Sequence, residues 1–177
     1  EISYYGENAK FLYKCSLKYD TKNNSVETKI TTTLGIEVLS YTDFLNGNKQ
    51  FVKKHKVTND FEIKGYVQYK YNSKGVSVEE ETYRPEGTLK NRNVYDGNRN
   101  LLEMNRFEQD GTIGYKSTFK YDTMNNPTEW VNYEKDGSKK STTTYTYEYD
   151  SRGNWIKRVI FSDSEPVLVT TREIEYY

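Results

Sequence analysis

Ahead of five tyrosines the chain alternates with a period of two. Leu17 and Tyr19, Tyr69 and Tyr71, Phe119 and Tyr121, Tyr147 and Tyr149, and Ile174 and Tyr176 fall on one face. Lys18, Lys70, Lys120, Glu148 and Glu175 lie between them on the other. Successive strand side chains point to opposite sides of a sheet, so the pattern predicts half-buried antiparallel strands. Asn93, before Tyr95, breaks the alternation. No window carries a helical i, i+3, i+4 apolar pattern, and the richness in Thr, Tyr and Val favours strands.

The tyrosines open a repeat. Tyr19-Asp20-Thr21-Lys22-Asn23-Asn24 and Tyr121-Asp122-Thr123-Met124-Asn125-Asn126 differ at one position in six. Tyr95-Asp96-Gly97-Asn98-Arg99-Asn100 and Tyr149-Asp150-Ser151-Arg152-Gly153-Asn154 are further copies, and Tyr71-Asn72-Ser73-Lys74-Gly75-Val76 is a looser one. Twelve residues after four of these tyrosines comes a second aromatic: Tyr83, Phe107, Tyr133 and Phe161. Three of those lead into an acidic-Gly turn at Glu86-Gly87, Asp110-Gly111 and Asp136-Gly137, whereas the fourth has Glu165 where the others have Gly. Copies from Tyr71 onward are spaced 24, 26 and 28 residues apart. Tyr19 and Tyr71 are 52 apart, which predicts a degenerate copy near 44–48, where Phe44-Leu45-Asn46-Gly47-Asn48 offers Asn-Gly as a tight-turn signal. Tyr176 stands 27 after Tyr149, where a next copy would begin.

The motif residues suit a turn. An Asp side chain accepts a hydrogen bond from a backbone N–H two residues on, and Gly or Asn tolerates positive φ. Each unit of about 26 residues therefore reads as two strands and two turns. Six such units predict an all-β antiparallel meander of about twelve strands. With an aromatic stripe to cover and no helix to cover it, the sheet is expected to curl into a half-barrel, barrel or spiral. One repeat domain is expected over residues 1–177, with clear repeats from 71 to 177 and degenerate ones from 1 to 70.

Composition changes the picture in three ways. The chain has 177 residues, 26 Lys+Arg and 26 Asp+Glu, so its net charge is zero; this argues against nucleic acid or a membrane surface as partner. Mean hydropathy of −0.99 would suggest disorder, but aromatics are 15% and 18 residues are Tyr. An aromatic core is expected, with tyrosine rings buried and their hydroxyls bonded. No stretch is apolar enough for a transmembrane helix. Cys15 is the only cysteine, which excludes an intrachain disulfide and reads as a half-buried strand residue. The start at Glu1, without Met, suggests a processed or trimmed N-terminus.

The Tyr-Asp-x-x-Gly-Asn copies, above all Tyr149-Asp150-Ser151-Arg152-Gly153-Asn154, resemble the YD-repeat (Rhs) family. The resemblance covers most of the chain from Tyr71 onward. Units of this family are usually shorter, the Gly is replaced in the copies at 19, 95 and 121, and no toxin-like C-terminal region is present. The resemblance implies long β-sheets that curl into shells, in bacterial secreted or surface proteins. A small stand-alone envelope protein of that type is expected.

No catalytic set emerges. His55 is the only histidine and would have to serve as base in any Ser-His or Cys-His arrangement; in Lys53-Lys54-His55-Lys56 it reads as an exposed residue in a basic run. Asp20, Asp96, Asp122 and Asp150 recur, but one Asp per turn falls short of the ligand count calcium needs, so they read as turn caps. Glu79-Glu80-Glu81 could supply a glycosidase-like pair only from Glu79 and Glu81, and reads as an exposed charged face. Trp130 differs from its counterparts Glu80, Met104 and Arg158, so Trp130 and Trp155 are the candidate ligand surface, weighed against plain core packing. The motif residues Tyr19, Asp20, Tyr71, Tyr95, Asp96, Tyr121, Asp122, Tyr149 and Asp150 are assigned to architecture. The sequence thus predicts a non-enzymatic binding or structural module, secreted or at a cell envelope, with a protein or glycan partner and no cofactor or metal. A carrier of an apolar ligand and a carboxylate-based hydrolase are the alternatives.

Overall fold

In a computed structural model the described residues are 2–5, 11–32, 34–58 and 60–176. They form fourteen strands and no helix. The backbone divides into two units, Glu1–Lys90 and Asn91–Tyr177. The first carries β1 (Ile2–Tyr5), β2 (Phe11–Asp20), β3 (Ser25–Thr32), β4 (Glu37–Leu45), β5 (Phe51–Val57), β6 (Ile63–Tyr71) and β7 (Ser77–Tyr83). The second carries β8 (Leu89–Tyr95, begun just before the boundary), β9 (Leu101–Phe107), β10 (Ile113–Tyr121), β11 (Pro127–Tyr133), β12 (Lys139–Tyr149), β13 (Trp155–Ser162) and β14 (Glu165–Thr171). Within each unit strands pair antiparallel in chain order, as a meander. No pairing among the described residues joins a unit's first strand to its last, so neither unit closes into a barrel. The first unit does curl: the Tyr13 ring on β2 meets Phe61, in the turn after β5, edge-on at 4.7 Å.

Most turns share one backbone frame. At the degenerate copy, Asn46 N–H donates to Gln50 O and Lys49 N–H to Asn46 O. The same two bonds recur from Asn72, Asp96, Asp122 and Asp150. This is a tight turn whose fourth residue is left-handed, a geometry that inserts one extra residue into the hairpin. That residue is Lys49, Gly75, Arg99, Asn125 or Gly153, with φ between 62° and 79°. The expected copy near 44–48 is therefore real, but Asn46-Gly47 is not its left-handed pair; Lys49 is. The opposite edge uses the same frame at Arg84–Thr88, Glu108–Thr112 and Glu134–Ser138, with Gly87, Gly111 and Gly137 left-handed.

Three segments depart from the expected pattern. The Tyr19 turn, nearest in sequence to the Tyr121 turn, is built differently: Asp20 pairs with Ser25, and Asn24 (φ 48°) is the left-handed residue. After Phe161 the chain turns in two residues, Asp163 and Ser164, both at positive φ, which is the strand-matched type I′ turn. Ile174 and Tyr176 lie beyond β14, outside any strand, because pairing with β13 ends near Arg172.

The core also differs. The apolar side chains buried most completely are Cys15, Val26, Ile30, Val67 and Val131, with no aromatic among them. Tyr71, Tyr95, Tyr121, Trp130 and Trp155 are half-buried, and Tyr19 is 66% exposed. A sheet without a covering layer leaves one side of each ring wet, and Tyr tolerates that because its hydroxyl can reach a partner at the edge. The aromatic residues thus form a stripe along the sheet rather than an enclosed core.

Candidate functional site

The motif residues line the edge of the sheet where the Tyr-Asp turns stack. Each Asp or Asn at the first turn position caps two amides. Asp150 Oδ1 accepts from Arg152 N–H and Asn154 N–H, both at 2.9 Å. Asp122 does the same for Met124 and Asn126, and Asn72 for Lys74 and Val76. In Asp122 and Asp150 the second oxygen meets the next copy's tyrosine. Tyr149 Oη donates to Asp122 Oδ2 and accepts from Asn126 Nδ2 at 2.9 Å. One copy later, Tyr176 Oη donates to Asp150 Oδ2 and accepts from Asn154 Nδ2 at 2.8 Å. Tyr176 therefore fills the next copy's tyrosine position although it lies outside a strand. A related reach goes to the first residue after the preceding turn: Tyr71 Oη to Phe51 O and Tyr147 Oη to Pro127 O, each 2.8 Å. Asn98 and Asn100 add bonds of 3.0 and 2.8 Å to Asn125 Oδ1 in the next turn.

Electrostatics follow these contacts. The Tyr176 hydroxyl, then the Asn154 amide, hold the Asp150 carboxyl below its ordinary value. The Asn100 side-chain amide does so for Asp96, and the Asn23 side chain and N–H for Asp20. Partial burial pushes the Asp122 carboxyl up, but the Tyr149 hydroxyl and the two capped amides outweigh it and hold it low. These carboxylates act as architectural acceptors, each bonded within its own turn or to its neighbour.

Trp130 and Trp155 lie in different settings. The Trp130 indole stacks on Phe119 across β10 and β11, with ring centres 5.9 Å apart. Its buried Nε1–H has no hydrogen-bond partner among the described residues. Trp155 sits beside Tyr147 at 6.5 Å, with the Arg172 and Arg158 guanidiniums 3.9 and 5.4 Å from its ring. The two are not brought into one contact. Near Trp130 a polar group is closed on itself: fully buried Ser117 is 2.7 Å from Tyr115 Oη and 2.6 Å from Asn132 Oδ1, and Asn132 Nδ2 donates to Ser141.

Sequence reasoning missed one cluster. His55 is not an exposed member of a basic run. Its side chain is 16% exposed, and its Nδ1 lies 2.9 Å from Oδ1 of Asp43. The same oxygen accepts the His55 backbone N–H at 2.7 Å, so Asp43 takes the place of a ladder carbonyl where β4–β5 pairing is reduced to Phe44–Lys53 and Leu45–Phe51. The Tyr41 and Tyr66 rings flank the imidazole at 5.4 and 6.0 Å. Tyr66 stacks on Tyr83 at 4.7 Å. Burial first, then the hydrogen bond to Glu81, pushes the Tyr83 phenol up to about 12. Glu79 is likewise buried rather than exposed, because it lies opposite Lys70 on the neighbouring strand and is ion-paired with it. No serine hydroxyl or cysteine thiol is bonded to His55 among the described residues. No group of three His, Cys, Asp or Glu among those residues is placed to hold a metal ion.

No model of a known protein family matches the chain, and no curated protein matches it. Solved structures do. A crystal structure of TcdB2-TccC3-TEV is similar over 96% of this chain, with 14% identity and a TM-score of 0.46. The match spans 9% of that much longer chain. A porin-like protein from Bacteroides uniformis is similar over 89% of this chain and 86% of its own, with 13% identity and a TM-score of 0.29.

Proposed function

We propose that the chain is a non-enzymatic structural or binding module of the YD-repeat type, acting outside the cytoplasm as a secreted or envelope protein. The observation that supports it is the tyrosine lock. The recurring Asp and Asn residues are bonded within their own turns, and Tyr149 and Tyr176 tie their turns to Asp122 and Asp150. Recurrence here serves stacking of units rather than chemistry. The Asp43–His55 pair has no serine or cysteine bonded to it among the described residues. The extracellular setting rests on the family resemblance of the motif, and partner binding on the half-buried aromatic stripe that includes Trp130.

A panel of chromogenic esters, glycosides and peptides tests the non-enzymatic part. No turnover is expected. Turnover that disappears in His55→Ala or Glu79→Gln would overturn the proposal. Binding is tested by Trp fluorescence against glycans and envelope-protein extracts, with Trp130→Phe removing any response.

A further inference from the structure

One motif position lacks its tyrosine. Leu45 holds the motif position 26 residues after Tyr19, where the copies at 71, 121 and 149 have Tyr. At two places in the second unit that tyrosine puts its hydroxyl on the Asp of the preceding turn, Tyr149 on Asp122 and Tyr176 on Asp150. Leu45 is shorter and has no hydroxyl. Among the described residues the Asp20 carboxylate is bonded by its own turn alone, through Lys22 N–H at 2.9 Å, Asn23 N–H at 3.1 Å and Asn23 Nδ2 at 2.7 Å.

A cavity of about 420 Å³ lies at this place. It is lined by the apolar Val26, Leu45 and Phe51, by the exposed Tyr19, and by the charged Asp20 and Lys49. Lys49 donates to Asn24 Oδ1 at 3.2 Å, and both residues line the cavity. The volume falls in the range of small-molecule sites, about 300–1,000 Å³, and an apolar floor with one or two fixed polar groups is how such sites orient a ligand. Asp20 Oδ2 carries one bond, which leaves a lone pair for a second donor.

We propose that this cavity binds a phenol, with the ring on Val26 and Leu45 beside Tyr19 and the hydroxyl donating to Asp20, in the manner of Tyr149 on Asp122. The two second-unit contacts, Tyr149 on Asp122 and Tyr176 on Asp150, supply the precedent, and the ligand takes the place of the tyrosine that Leu45 lacks. A free aromatic alcohol and a tyrosyl side chain of a peptide present the same chemistry. The inference rests on the lock reading of the motif and not on the non-enzymatic assignment, so its failure leaves the substrate-panel result standing.

The test is a titration with p-cresol followed by amide NMR shifts. Saturable shifts are expected at Asp20, Asn24 and Lys49. Toluene, which lacks the hydroxyl, should bind about tenfold more weakly or worse, because a hydrogen bond to a charged acceptor is lost. Leu45→Tyr should remove p-cresol binding and raise Tm, since the covalent ring fills the cavity. Asp20→Asn keeps the turn acceptor and should weaken p-cresol about tenfold while leaving toluene unchanged. N-acetyltyrosinamide and a tyrosine-containing peptide distinguish the sources: binding of p-cresol alone assigns a free alcohol, and binding of all three assigns a tyrosyl side chain. Absence of saturable shifts at millimolar p-cresol overturns the proposal. So does binding that survives Leu45→Tyr or is matched by toluene.

Discussion

The Tyr149 hydroxyl donates to the carboxylate of Asp122, 27 residues earlier in the chain, and ties one turn of the sheet edge to the next. The same Asp carries two backbone amides of its own turn, so a single side chain both shapes a hairpin and joins it to its neighbour.

Replacing Tyr149 by Phe is expected to cost about 1 kcal/mol, the usual worth of one hydrogen bond. Asp122→Asn keeps the turn caps but weakens the acceptor. Urea midpoints of Tyr149→Phe, Asp122→Asn and the double variant should give a coupling of about 0.5–1.5 kcal/mol. Strict additivity would show that the contact contributes nothing. Tyr19→Phe is the control: that side chain is 66% exposed, no described residue bonds its hydroxyl, and no change is expected.

Acid should loosen some turns and spare others. Asp122 and Asp150 have carboxyls held below their unfolded values, so the folded state binds fewer protons there. Their stabilisation is complete above about pH 4 and disappears as pH falls through the lowered folded values. Asn46 and Asn72 make the same caps without a titrating group. Hydrogen exchange corrected for intrinsic rate, compared at pH 5 and pH 3, should show protection falling at Asn126 and Asn154 relative to Gln50 and Val76. Equal loss at all four would point to global unfolding instead.

Gly65 should tolerate no side chain. Its φ is +107°, and a Cβ there would stand 1.9 Å from Tyr83 O. Gly65→Ala is expected to cost about 3 kcal/mol or more, combining overpacking with a left-handed penalty. Gly87→Ala, with φ +89° and open space around it, should cost only about 1–2 kcal/mol. Thermal unfolding of the two variants checks the ranking.

The last hairpin can be improved. Ser164 sits at φ 76° in a two-residue turn. Ser164→Gly should gain about 1 kcal/mol, because Gly occupies that region without the Cβ clash. An unchanged or lowered denaturation midpoint would count against the turn assignment.

How much was legible follows from where the information sits. Turn position is local and periodic, so the spacing predicted a copy near 44–48, within two residues of the turn at Asn46–Gln50, and the end-copy tyrosine Tyr176. Turn geometry is less so: the hexapeptides at Tyr19 and Tyr121 differ at one position, yet their left-handed residues are Asn24 and Asn125. Phe61 was invisible because a left-handed conformation (φ 61°) in a residue with a bulky side chain has no signature in composition; only its place in the frame, bonded to Thr58, gives it away. His55 and Glu79 were misread because their partners, Asp43 and Lys70, come from neighbouring strands, and flanking charges suggested water instead. The aromatic core was expected on content alone, whereas a sheet without a covering layer can only half-bury a ring.

The frame shared by the Tyr-Asp turns has a genetic consequence. Removing Asp122 through Tyr149 would join Tyr121 to Asp150, and β10 would run into the Asp150 turn with the same two backbone bonds and the same alternation of faces. Copy number in such a chain can change by unequal recombination without breaking a hairpin, so length variants among its descendants are expected to differ by whole units.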